Sequence, residues 1–216
     1  MFSREKVSQL VAEFIATFTL VSVILGVSTR STFPFFVAAG AGLTAGLMVV
    51  LLGAVSGAHA NPAITFGLWS KQLIKTNQAV AYIVAQVLGG VVALGAYQYL
   101  INTTINRPSQ NFDWRVFTAE AIGAGIFGFG VAAAVNLKLK GGVQGAAVGV
   151  ALMLGILVAS IASNGLINPA VAVGVDSIGW DYIVGPLVGA LVGMQLYGAV
   201  FETKKKSVLQ SIFGKK

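Results

Sequence analysis

The sequence predicts an all-α membrane protein with six transmembrane helices and two re-entrant half-helices, arranged as an inverted repeat. Three observations carry this. Over 216 residues, the apolar set AVILMFWYC makes up 56% and charged residues only 10%, where a soluble domain carries about 25% charged residues. Two short apolar segments each open with Asn-Pro-Ala, at Asn61-Pro62-Ala63 and Asn168-Pro169-Ala170. The offset of 107 positions that superposes these triplets also superposes two glutamates embedded in apolar runs, Glu13 on Glu120. The same composition excludes a disordered chain. With no cysteine there is no disulfide framework and no thiolate metal site, and neither a metal nor any other cofactor is expected.

A span needs about 20 apolar residues. Val7–Thr29 supplies the first, interrupted only by Glu13. It is longer than a signal-peptide core and runs on into further apolar sequence, so it is expected to be retained. The second lies near Phe36–Val55 and the third near Ala79–Ile101. Asn102–Arg115 is polar and reads as a loop. Val116–Leu137, with Glu120 inside it, is the fourth span, and Lys138-Leu139-Lys140 a basic turn. The uncharged stretch from Gly141 to Val175 covers 35 residues, too long for one span, and its first part, Gly142–Ala162, is the fifth. Tyr182–Phe201 is the sixth. The whole reads as one channel-sized domain over 1–216, with repeats over about 7–101 and 116–201.

The net charge is +7. Its distribution fits a multi-pass membrane protein rather than a nucleic-acid binder, because the basic residues sit between apolar stretches and leave no folded basic surface. Six spans place Arg4, Lys6, Lys71, Lys75, Lys138, Lys140, Lys204, Lys205, Lys206, Lys215 and Lys216 on one side, and Arg30, Arg107 and Arg115 on the other. Lysine and arginine favour the cytoplasmic side, so both termini are expected there, in a plasma or bacterial inner membrane.

His59–Ser70 and Leu166–Val175 are left over, each about half a span. Asn is a favoured N-cap and Pro a favoured first helical residue, so helices should start at Asn61 and Asn168. A half-length helix beside full spans is a re-entrant element, whose entry backbone must be buried in protein or line a wet cavity. The 107-residue offset also pairs Ala12 with Ala119, Gly42 with Gly149, Ser56 with Ser163 and Gly67 with Gly174. Three spans per half is an odd number, so the second half enters from the opposite side and the half-helices point their N-termini at each other.

Together these residues resemble the aquaporin, or major intrinsic protein, family. The resemblance rests on Ala12-Glu13-Phe14, on Ser56-Gly57-Ala58-His59-Ala60-Asn61-Pro62-Ala63, on Ala119-Glu120, on Asn168-Pro169-Ala170 and on Gly185-Pro186, and it covers nearly the whole chain. It implies a passive channel for water or small uncharged solutes, one pore per subunit, in a homotetramer within the lipid bilayer. It also implies that Asn61 and Asn168 meet at the membrane centre and donate from their amides into the pore, with Gly57, Ala58, His59 and Leu166 along it. Paired helix N-termini carry positive potential, which repels cations. A water accepting from both amides points its own hydrogens outward, which interrupts a proton wire. The chain departs from the family pattern where an Arg usually follows the second triplet, because that position is Val171. The remaining outer-constriction positions fall on Ala41, Ile156 and Gly165. This set has no charge, no side-chain donor and no ring. It is expected to be wider and apolar, though an apolar ring can also dewet and close.

Two readings stay open for each ionisable residue inside the membrane. Glu13 and Glu120 either relay protons or accept backbone N–H bonds from the irregular segments before the half-helices; an intramembrane carboxylate needs such partners. His59 either simply lines the inner pore mouth or titrates as a gate. Glycines at fourfold spacing, at Gly42 and Gly46, at Gly141, Gly145 and Gly149, and at Gly185, Gly189 and Gly193, should let helices approach closely. No nucleophile–base set or phosphate loop points to an enzyme. A secondary transporter, or a closed structural protein of the same fold, is the alternative.

Overall fold

The computed structural model describes residues 3–105 and 111–202. Arg107, Lys204, Lys205, Lys206, Lys215 and Lys216 lie outside the described residues. The helices are α1 Arg4–Ser28, α2 Pro34–Ser56, α3 Pro62–Ser70, α4 Thr76–Ile101, α5 Trp114–Asn136, α6 Gly141–Ala159, α7 Pro169–Gly174 and α8 Trp180–Phe201. All but α3 and α7 are long and apolar enough to cross a membrane.

The ends of these helices follow local chemistry. Ser3 Oγ accepts from the Lys6 N–H at the start of α1, and Asp113 Oδ1 from the Arg115 N–H at the start of α5. Gly57, at φ 94°, closes α2 in a left-handed conformation that a glycine adopts freely. α6 stops at Ala159, short of the predicted Ala162. The Ser160 and Ser163 hydroxyls donate to the Ile156 and Ala159 carbonyls, and the backbone tightens into turns at Ile161 and Ala162. These bonds satisfy carbonyls that a further helical turn would otherwise cover.

Glycines set the helix spacing. A Cβ built on Gly46 falls 2.8 Å from the Gly145 carbonyl oxygen, and one on Gly42 falls 2.6 Å from that of Gly149, so α2 and α6 touch backbone to backbone. Gly189 and Gly193 of α8 abut the Ala121 and Gly125 carbonyls of α5 in the same way. Gly141 departs from the expected role. It starts α6 at φ 56° with nothing within 4 Å of its Cβ position, so it serves a turn rather than a helix contact.

Rings gather where α1 and α4 finish and α2, α5 and α8 begin. Tyr99, Trp114 and Trp180 are exposed there, and Phe33, Phe35 and Phe36 cluster with one another. Exposed aromatic residues at helix ends suit a membrane–water boundary. At the other end Lys71, the C-cap of α3, pairs with Glu202 just beyond α8 at 2.7 Å.

Candidate functional site

The two half-helices start as their sequences dictate. Asn61 Oδ1 accepts from the Ala63 N–H at 2.8 Å, and Asn168 Oδ1 from the N–H groups of Ala170 at 3.0 Å and Val171 at 3.3 Å. Pro62 and Pro169 occupy the first helical positions. The amide nitrogens then cross between the halves. Asn61 Nδ2 donates to the Ile167 carbonyl at 3.0 Å, and Asn168 Nδ2 to the Ala60 carbonyl at 2.9 Å. The helices therefore meet N-terminus to N-terminus. Neither Asn amide is wholly free for a pore. Each already has a backbone acceptor, which leaves one amide hydrogen per Asn. Replacing Asn168 with alanine removes a cap contributing about 1 kcal/mol. It also orphans the buried Ala60 carbonyl, at about 1–3 kcal/mol. Asn168→Ala is expected to lower the denaturant midpoint of the detergent-solubilised protein, while an exposed Ser8→Ala is expected to leave it unchanged.

The glutamates sit behind these tips and are fully buried. Glu13 Oε1 accepts from Ser56 Oγ at 2.7 Å and the His59 N–H at 3.0 Å; Oε2 accepts from the Ala60 N–H at 2.9 Å and Gln86 Nε2 at 2.7 Å. Glu120 Oε1 accepts from Ser163 Oγ at 2.7 Å and the Leu166 N–H at 2.9 Å, and Oε2 from the Ile167 N–H. Every partner in these bonds is a donor. They hold unusual backbone: Ala58 and Ala60 lie at φ 49° and 46°, and Gly165 and Ile167 at φ 63° and 40°. A β-branched residue in the left-handed region, as at Ile167, is strained and persists only when its surroundings fix it.

The halves differ around Glu13. Its fourth donor, Gln86, also donates to Thr65 Oγ1 at 2.9 Å, and Thr65 Oγ1 lies 3.1 Å from His59 Nδ1. The positions 107 further on are Gly193, Ala172 and Leu166, which can form no such chain. Sequence reading missed Gln86 and Thr65. The available signal was weak, because Gln86 shares the predicted Ala79–Ile101 span with a second glutamine, Gln98. The His59 ring also meets the buried Tyr82 edge-on at 5.3 Å.

A cavity of about 90 Å³ lies on the α3 side of the tips, lined by Gly57, Ala58, His59, Ile64, Phe127 and Val148 among others. A single water needs roughly 10–15 Å³ on this kind of measure, so several fit. Leu166 is not on this cavity; it is buried, and its N–H is bound to Glu120. The proposed outer set is buried as well. Ala41, Ile156 and Val171 share one apolar cluster at 2% exposure or less. Gly165 abuts Ile156, a Cβ on it falling 2.8 Å from the Ile156 carbonyl oxygen.

Comparison with known proteins gives this arrangement a family. The model for the major intrinsic protein family matches residues 2–197. Aquaporin NIP3-1 of Arabidopsis thaliana is 31% identical over 224 residues, covering 92% of this chain and 69% of its own. Aquaporin Z of Photorhabdus laumondii subsp. laumondii is 28% identical, covering 91% of this chain and 99% of its own. The X-ray structure of the aquaglyceroporin from Plasmodium falciparum superposes with a TM-score of 0.71 at 22% identity, over 96% of this chain and 99% of that one, a likeness of fold. An all-helical multi-pass membrane protein whose half-helices meet at two Asn-Pro-Ala triplets, this chain belongs to the major intrinsic protein family.

Proposed function

We propose that the chain conducts water or small uncharged solutes passively, along a path that passes the two half-helix tips. The observation that carries this is the tip-to-tip meeting of Asn61 and Asn168. Two helix N-termini placed together leave N–H groups and positive potential facing one point. The remaining amide hydrogens offer a passing water or hydroxyl two donors, and a cation only repulsion. His59, Gly57 and Ala58 line the inner approach. Ala41, Ile156, Gly165 and Val171 form the outer constriction, where size rather than hydrogen bonding selects. Selectivity against ions then rests on the tips, because the outer site has no fixed charge. The family is one of channels rather than enzymes. The subunits assemble as homotetramers, with both termini cytoplasmic, in the plasma or bacterial inner membrane.

A coupled transporter is not favoured. It needs an ionisable or cation-coordinating group free to change partners at the midplane, and the oxygens of Glu13 and Glu120 already accept from two loops, two serines and Gln86.

The test is osmotic shrinkage of proteoliposomes by stopped flow, with sucrose, glycerol and urea as osmolytes, for the native chain and Val171→Arg. Fast shrinkage in sucrose, with glycerol or urea re-swelling that Val171→Arg abolishes, is the expected result. A native chain no faster than empty liposomes for every osmolyte overturns the reading.

A further inference from the structure

We infer that Thr65, beside a Gln86 amide turned so that it offers the hydroxyl no acceptor, is a positioning residue that fixes the tautomer of His59, holding its proton on Nε2 so that the ring presents a donor to the inner cavity. The inference deepens the channel reading and rests on it only for its consequence.

The argument runs outward from Glu13. Its Oε2 lies 2.7 Å from the Gln86 side-chain amide. A carboxylate oxygen accepts only, so the amide must turn its NH₂ toward Glu13; the reverse orientation sets two acceptors against each other. The same NH₂ lies 2.9 Å from Thr65 Oγ1, so its second hydrogen goes there and the hydroxyl oxygen is an acceptor. The hydroxyl then has its own proton to place. Among the described residues, its one remaining partner is His59 Nδ1 at 3.1 Å. Nδ1 therefore accepts, and in a neutral ring the proton is on Nε2. The opposite tautomer leaves the Thr65 proton without an acceptor at a fully buried site. That penalty favours the Nε2–H form about tenfold or more.

Nε2 is placed to use this. It lies against Gly57, where a Cβ would fall 2.8 Å away, and both residues line the cavity. Among the described residues the ring's one hydrogen bond is through Nδ1, and His59 is only partly buried. The Nε2–H therefore faces whatever occupies the cavity. A donor here binds permeants through a lone pair, as water, alcohols, amides and ammonia can supply. Ammonium has no lone pair and receives nothing from it. In the other half no side chain repeats this, because the position matching His59 is Leu166.

His59 is the single histidine of the chain, so histidine-¹⁵N labelling of the full protein in lipid bilayers gives one pair of ring signals. Solid-state NMR of that sample, at a pH where the ring is neutral, reads the tautomer from which ring nitrogen carries hydrogen. The native chain is expected to show Nε2–H in at least about tenfold excess. Thr65→Val removes the hydroxyl whose proton Nδ1 accepts, and should reduce that excess. Thr65→Ser, which keeps the hydroxyl, should preserve it. Nδ1–H as the main native form, or an excess indifferent to Thr65→Val in a sample that stays folded, overturns the assignment. The native measurement decides even if a variant does not fold. The readout is independent of conduction, so a native chain that fails the osmotic test leaves the assignment standing.

Discussion

Glu120→Ala is expected to leave little folded protein. The substitution strips the acceptor from the Leu166 and Ile167 N–H groups, both in buried backbone. Ser163 retains its second acceptor, the Ala159 carbonyl at 2.9 Å, and can re-bond. Two orphaned N–H groups cost about 1–3 kcal/mol each. The left-handed Ile167, strained by about 1–3 kcal/mol, then has nothing holding it and relaxes, so the loop is expected to change shape as well as lose its bonds. The two N–H groups together cost about 2–6 kcal/mol, which reaches the lower part of the roughly 5–15 kcal/mol by which a typical protein is stable. Glu120→Gln keeps one acceptor oxygen and turns an NH₂ toward a donor, so an intermediate loss is expected. Monodisperse yield on size exclusion and the thermal midpoint in detergent measure both. A Glu120→Ala protein with a native midpoint would show that the carboxylate does not hold the loop.

The second large effect is at the α5–α8 seam. Gly189→Ala sets a methyl group against the Ala121 carbonyl, and Gly193→Ala sets one against that of Gly125. Neither obstacle is a flexible side-chain end, so relief requires the helices to separate. Overpacking of this kind costs about 1–3 kcal/mol or more, and two adjacent sites act on one seam. Gly95→Ala in α4 is the control, because nothing lies within 4 Å of its Cβ position. It should be neutral or stabilising by up to about 1 kcal/mol, the helix preference of alanine over glycine. Thermal midpoints in one detergent should therefore fall for Gly189→Ala and stay level or rise for Gly95→Ala.

What the sequence made legible was whatever is written locally or twice. Asn61 and Asn168 carry their own cap chemistry, and the matching positions of Glu13 and Glu120 pointed to partners in the loops ahead of them. What it could not show were contacts made once, between distant segments. Gln86 has no counterpart, since its mate is Gly193, and nothing near it in the chain reveals that it faces Thr65. The acceptors of the two Asn amides lie 106 and 108 residues away. Glycine spacing was informative only where a partner helix exists, so Gly141 read like its neighbours although it faces open space. The early end of α6 followed from serine hydroxyls capping carbonyls, a competition that hydropathy does not register.

The crossed bonds between the tips bear on how the chain is made. α3 lies against α8, with Gly67 under Met194, and α7 lies against α4, with Gly90 under the Ala170 carbonyl. When translation has delivered α1 to α4, the Asn61 amide has no Ile167 carbonyl to meet and α3 has no α8 to rest on. The first half-helix is thus inserted before it can be finished, and it must wait at the membrane surface or in the translocon for the second half. A chain cut after residue 105 should therefore leave α3 open to aqueous labelling reagents. Supplying residues 111–216 as a separate polypeptide should close it again, since the bonds need both segments but not a peptide link between them.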